Sequence, residues 1–159
     1  MRTTYRVLAT TVCVLVALQA AFHAWGTAGM GVWIDQGGVL DKATGEAIGA
    51  GERPWPELTG MILHGMSGMF VIPSVALLLV AVALAARFRG AVPRALLVFA
   101  LVVVQVTLGL LGHTHPRLGF LHGINALLLF TAAFTAQRHA RVEDSVPHAA
   151  APEVADALR

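Results

Sequence analysis

Four stretches of this chain run for 20 residues or more without a single Asp, Glu, Lys or Arg: Val7 to Ile34, Leu58 to Ala86, Ala95 to Pro116 and Leu118 to Gln137. A helix of about 20 apolar residues crosses the roughly 30 Å of bilayer hydrocarbon. Lipid offers no partner to a backbone N–H or C=O, so such segments must satisfy themselves as helices. Composition points the same way. Of 159 residues 57% are hydrophobic and 13% charged, where a water-soluble domain carries about 25% charged residues. The expected fold class is all-α: an integral membrane, up-down-up-down four-helix bundle over residues 1–141. Its spans are 7–34, 58–86, 95–116 and 118–137, with a loop at 35–57. Pro73 predicts a kink in the second span. The short link Thr114-His115-Pro116-Arg117-Leu118 makes spans three and four an antiparallel hairpin.

Arg2 and Arg6 before the first span resemble the start of a secretory signal, whose apolar core is only about 7–15 residues long. Here the apolar run continues past Trp25 to Ile34, which predicts a retained helix. Basic residues orient the bundle. Arg2, Arg6, Arg87, Arg89, Arg94, Arg138 and Arg141 gather at one end. The other end has Lys42, Arg53 and Arg117 against Asp35, Asp41, Glu46, Glu52 and Glu57. Both termini are therefore expected in the cytoplasm and the 35–57 loop outside. Trp25, Trp33 and Trp55 fall near that outer boundary, where an aromatic belt would lie. The Gly-rich 35–57 loop leaves room for one short helical turn on the membrane surface. Residues 142–159, rich in Ala, Pro and mixed charge, read as a disordered cytoplasmic tail. Ten of the eleven basic residues are arginines scattered at segment ends, so nucleic acid is not an expected partner. One cysteine, Cys13, excludes an internal disulfide and any Cys-built zinc or iron–sulfur centre.

Ionisable groups within a bilayer are costly and usually functional, and the chain has seven histidines. His23, His64, His113, His115 and His122 map to the outer half of this topology; His139 and His148 map to the cytoplasmic end. His64 lies seven residues into span two and His122 five into span four, counting from their outer ends. At about 1.5 Å rise per residue the two imidazoles share a depth. Gly60 and Gly68 flank His64 at four residues either side, and Gly119, Gly123 and Ala126 surround His122. Both histidines occur in the tripeptide Leu-His-Gly. Gln19 and Gln105 sit midway along spans one and three, which hints at two related hairpins.

Two histidines at one depth on alternate helices suit a planar cofactor gripped from both sides. Neutral imidazole is a standard axial ligand of haem, and the space between the helices of a bundle is a common cofactor site. A bare zinc or copper ion would want three or four ligands together, and no carboxylate lies at this depth. The expected site is one b-type haem with His64 and His122 on its iron, Gly60, Gly68, Gly119 and Gly123 beside it, and Asn125 orienting a ligand or joining helices. Small-residue rows also serve plain helix packing. His113 and His115, with His23, form a weaker candidate metal site or a polar turn. Arg53 and Arg117 lie where carboxylate groups of a cofactor would emerge.

Gln105-Val106-Thr107-Leu108-Gly109 followed by Leu121-His122-Gly123 resembles one four-helix half of the haem A synthase family. That resemblance covers roughly residues 58–137. It implies haem ligation by a histidine on the second helix and another on the fourth, which here are His64 and His122. The family has a glutamate three residues before the second-helix histidine and an arginine after it; this chain has Met61 and Gly65. The chain also resembles a family of small bacterial four-span proteins with the same His-Gly pattern. A bacterial-type plasma membrane is the expected location.

Two strong axial ligands leave iron no open position, so the expected function is electron transfer or haem handling at the outer face, with a redox partner protein, a quinone or a second copy of the chain as associate. A redox carrier or accessory subunit is expected more than a stand-alone enzyme. The alternatives are a cofactor-free scaffold of a membrane complex, and a haem A synthase-like oxidoreductase whose acid could only be Glu57.

Overall fold

The computed structural model describes residues 1–86 and 88–145; Arg87, His148 and the rest of the tail from 146 lie outside the described residues. Helix α1 spans Arg2–Asp35, a short α2 Lys42–Gly49, α3 Leu58–Met66, α4 Ile72–Ala86, α5 Ala91–Gly112 and α6 Pro116–Ser145. A π-helical turn, Ser67–Val71, joins α3 to α4. Four units, with α3 and α4 counted as one, are long and apolar enough to cross a membrane. The protein is a multi-pass membrane helical bundle. Helix α1 packs on α3, α4 and α6, α4 packs on α5, and α5 packs on α6, so neighbours in sequence are neighbours in space and the ring closes between first and last.

Helix ends depart from the charge-free windows for local reasons. Helix α5 starts at Ala91, four residues earlier than charge alone predicts, and takes in Pro93 and Arg94. Proline is tolerated in a first turn, where N–H groups have no helical partner. Arg94 turns back to donate to the Gly90 carbonyl at 2.9 Å. Pro116 opens α6 at the first helical position, which its fixed φ favours. Of the tail read as disordered from 142, residues 142–145 instead complete α6.

The two ends of the bundle are built differently. Tyr5, Ala9, Val12, Ala76, Leu79, Ala83, Ala91, Ala95, Val98, Ala133, Ala136 and Ala140 form a sealed seam at the end holding the N-terminus. Small side chains let helix backbones approach closely, which is how membrane helices gain packing energy. Tyr5 fixes this end with its hydroxyl donating to the Ala91 carbonyl at 3.2 Å and its ring edge-on to Phe88. At the other end the loop folds back on α1. Asp41 caps α2 by accepting from the Thr44 N–H at 2.9 Å, which holds its carboxyl below the usual range. Trp55 is buried, its indole N–H directed to the Gly26 carbonyl at 3.3 Å and its ring beside Trp33. Of the three tryptophans placed in a belt by the sequence, Trp55 anchors the loop and Trp25 is the exposed one.

The π turn sets the direction in which α3 faces. Its hydrogen bond runs from the Ile72 N–H to the Ser67 carbonyl, five residues back. Pro73 follows at once; it has no N–H to offer Met69, and its ring crowds that carbonyl. His64 and Ile72 are eight residues apart, which overshoots two α-helical turns by roughly 80°. A π turn absorbs one residue, so His64 comes onto the same face as Ile72, Ala76, Leu79 and Ala83, the buried stripe of α4.

Candidate functional site

At the end opposite the alanine seam, two hydrogen-bonded units face each other. In the first, His64 on α3 meets Gln19 on α1. The His64 Nδ1 lies 3.0 Å from the Gln19 main-chain oxygen. A carbonyl only accepts, so Nδ1 carries the proton and Nε2 keeps its lone pair. The Gln19 side chain turns to Ser67, three residues after His64, and donates to its hydroxyl at 2.6 Å. Ser67 in turn donates to the Leu63 carbonyl. In the second unit His122 on α6 meets Gln105 on α5. Its Nδ1 lies 3.0 Å from the Gln105 main-chain oxygen. The Gln105 side chain again reaches the residue three after the histidine, here Asn125, whose amide donates to Oε1 at 2.6 Å and to the Leu101 carbonyl at 2.9 Å. Asn125 is buried.

The two units come together at the middle. The rings of His64 and His122 have centroids 6.2 Å apart at an interplanar angle of 61°. His23 on α1 extends the file, its ring 5.2 Å from that of His64. The three histidines and their four polar partners, Gln19, Ser67, Gln105 and Asn125, lie within helices long enough to span the membrane. Among the described residues every buried side-chain nitrogen and oxygen has a hydrogen-bond partner.

One side of the site is loosely closed. Helix α3 lies along α1 and makes no extensive contact with α5 or α6, whereas α4 is packed on both α1 and α5. Met66, Met69 and Phe70 are exposed along this stretch. Contact between α3 and α5 near the histidines is therefore sparser than that between α4 and α5 toward the alanine end.

The glycines divide into two groups. A Cβ on Gly60 would meet the Phe22 carbonyl at 2.5 Å, and Gly26 is pressed equally hard against Met61; these glycines let α1 and α3 cross. A Cβ on Gly68 would lie 3.1 Å from the Gln19 side-chain oxygen. Gly119 and Gly123 open onto free space and are exposed on α6. Gly109 on α5 had no part in the sequence reading beyond its place in a motif, yet it makes the room His122 needs: a Cβ there would lie 3.1 Å from the ring carbon Cε1. Its position four residues after Gln105, on the same helix face, was the available signal.

His113 and His115 stay in the α5–α6 turn and are exposed, with His115 Nδ1 beside the Thr114 hydroxyl at 2.9 Å. His23 belongs to the His64 file. No group of three or more His, Cys, Asp or Glu residues is placed to hold a metal ion among the described residues. Arg53 donates to the Thr59 hydroxyl at 2.9 Å, and Arg117 is exposed. Glu57 lies against Gly29, ten residues along α1 from Gln19, the contact of His64. At about 1.5 Å per residue that is roughly 15 Å, too far for a carboxylate to share the His64 ring.

No family model, curated protein or solved structure matches the chain.

Proposed function

We propose that this protein is a membrane haem carrier in which His64 and His122 supply the two axial ligands of one b-type haem, acting in electron transfer or haem handling. The observation that carries the reading is the paired unit: each histidine gives its Nδ1 proton to a main-chain carbonyl and keeps an Nε2 lone pair. Histidines that ligate metal almost always engage their other nitrogen in this way, which fixes tautomer and orientation. The closeness of the two rings, whose centroids lie 6.2 Å apart, supports it too.

The donor set fits haem better than a bare ion, because two nitrogens and no carboxylate meet. The loosely closed side between α3 and α5 supports entry of a flat apolar group from the lipid. Bound haem would supply one-electron chemistry; the chain holds the ligand rings and keeps them in helices. The distance of Glu57 from His64 weighs against the methyl-oxidising chemistry of a haem A synthase. With the arginine-rich end in the cytoplasm, the site lies toward the outer face, where a redox protein, a quinone or a second copy of the chain completes the electron path. One observation favours a cofactor-free scaffold instead: among the described residues each buried side-chain nitrogen and oxygen already has a hydrogen-bond partner within the protein.

Hemin titration of the purified protein separates the two. One haem per chain is expected for the wild type and none for a chain carrying His64→Ala and His122→Ala with unchanged helical circular dichroism. No uptake by the wild type, or equal uptake by the double variant, rules out the haem reading.

A further inference from the structure

The two units are not equal, and the difference lies in the residue three places after each histidine. Ser67 presents a hydroxyl that accepts from the Gln19 carboxamide, drawing it off the His64 ring. Among the described residues no hydrogen bond engages Nε2 of His64. Asn125 does the reverse. Its amide donates to Oε1 of Gln105, which turns the Gln105 NH2 back onto His122. That NH2 lies 3.0 Å from Nε2 of His122 and 3.1 Å from the His122 carbonyl. The assignment is self-consistent: the amide nitrogen has two hydrogens for two acceptors, and the amide oxygen accepts the Asn125 donor. Gln105 therefore engages both ring nitrogens of His122, one through its main chain and one through its side chain.

We propose that Gln105 caps the free ring nitrogen of His122, so that His64 stands ready as a ligand and His122 joins only after the Gln105 carboxamide turns away. The proposal rests on the haem reading for its consequence and on the haem-free protein for its geometry. Gln105 is a positioning residue. It keeps His122 in the tautomer a ligand needs, with the proton on Nδ1, so no proton has to leave when Nε2 binds iron. It also competes for that same lone pair. Turning away breaks the contacts to Nε2, to the His122 carbonyl and to Asn125 together, which makes the second ligation the slow one. His122 is the exchangeable ligand of the pair, the side from which haem would be passed on or an external ligand admitted.

The test uses the full chain in lipid nanodiscs. In haem-free protein with ¹⁵N-labelled histidines, Gln105→Leu is expected to move the His122 Nε2 resonance toward that of an unbonded acceptor and leave His64 unmoved. Gln19→Leu is expected to leave His122 unmoved. On rapid mixing with hemin, wild type is expected to show a five-coordinate species that converts slowly to six-coordinate. Gln105→Leu is expected to speed that conversion at least severalfold, and Asn125→Ser, which gives the second unit a hydroxyl as in the first, to act in the same direction. A His122 resonance indifferent to Gln105→Leu, or a conversion that neither variant accelerates, overturns the proposal. If wild type takes up no hemin, the haem reading falls and the cap is decided by the ring resonances alone.

Discussion

Gly109 and Gly123 make a natural pair for testing the site at the scale of single atoms. A methyl group on Gly109 meets Cε1 of His122 at 3.1 Å, whereas one on Gly123 meets nothing within 4 Å. Overpacking of this kind costs about 1–3 kcal/mol, and the ring has little freedom to move because both its nitrogens are bonded. Gly109→Ala is expected to weaken hemin affinity about five- to tenfold, measured by titration, with Gly123→Ala within twofold of wild type. Equal effects would mean that His122 is not held as described. The candidate histidines were legible in the sequence because charge-free spans set their depths and common depth is what a shared ligand demands. Their bonds to Gln19 and Gln105 were not. Matching glutamines on spans one and three were visible, but the acceptors are main-chain carbonyls, and which carbonyl meets which ring depends on helix crossing. Trp55 was read as part of a belt for a similar reason: its burial follows from the loop folding back on Gly26.

Among the elements, the π turn has the largest consequence for its length. The four spans were legible from hydropathy, and the limits of α5 and α6 differ only where Pro93, Arg94 and Pro116 fit a first helical turn. The sequence also marked Pro73 as a break, but not the one-residue surplus before it, since hydropathy along Ser67–Val71 is the same in either helix type. That surplus brings His64 and the buried stripe of α4 onto one face. Deleting Phe70, an exposed residue of the turn, is expected to return the segment to ordinary α-helix and keep hemin uptake within about threefold. Deleting Leu78, equally exposed but within α4, rotates Leu79 and Ala83 by roughly 100° from the core and is expected to abolish folding, read as loss of monodisperse protein. If the Phe70 deletion loses hemin uptake while remaining folded, the turn has a role other than register.

For the molecule as a whole, the division of labour between its ends is the organising fact. The alanine seam, with Tyr5 bonded across to Ala91, holds the helices together where nothing else is required of them. The histidine end has two related but unequal hydrogen-bonded units in its place, with little contact between α3 and α5. The most direct measurement is a reduced-minus-oxidised absorption spectrum, with low-temperature electron paramagnetic resonance of the oxidised form, on wild type, His64→Ala and His122→Ala. Sharp low-spin b-type bands in the wild type are expected, with each single variant becoming high-spin and five-coordinate. A haem spectrum that survives both substitutions unchanged, or a colourless protein that does not take up hemin, would contradict haem ligation by this histidine pair.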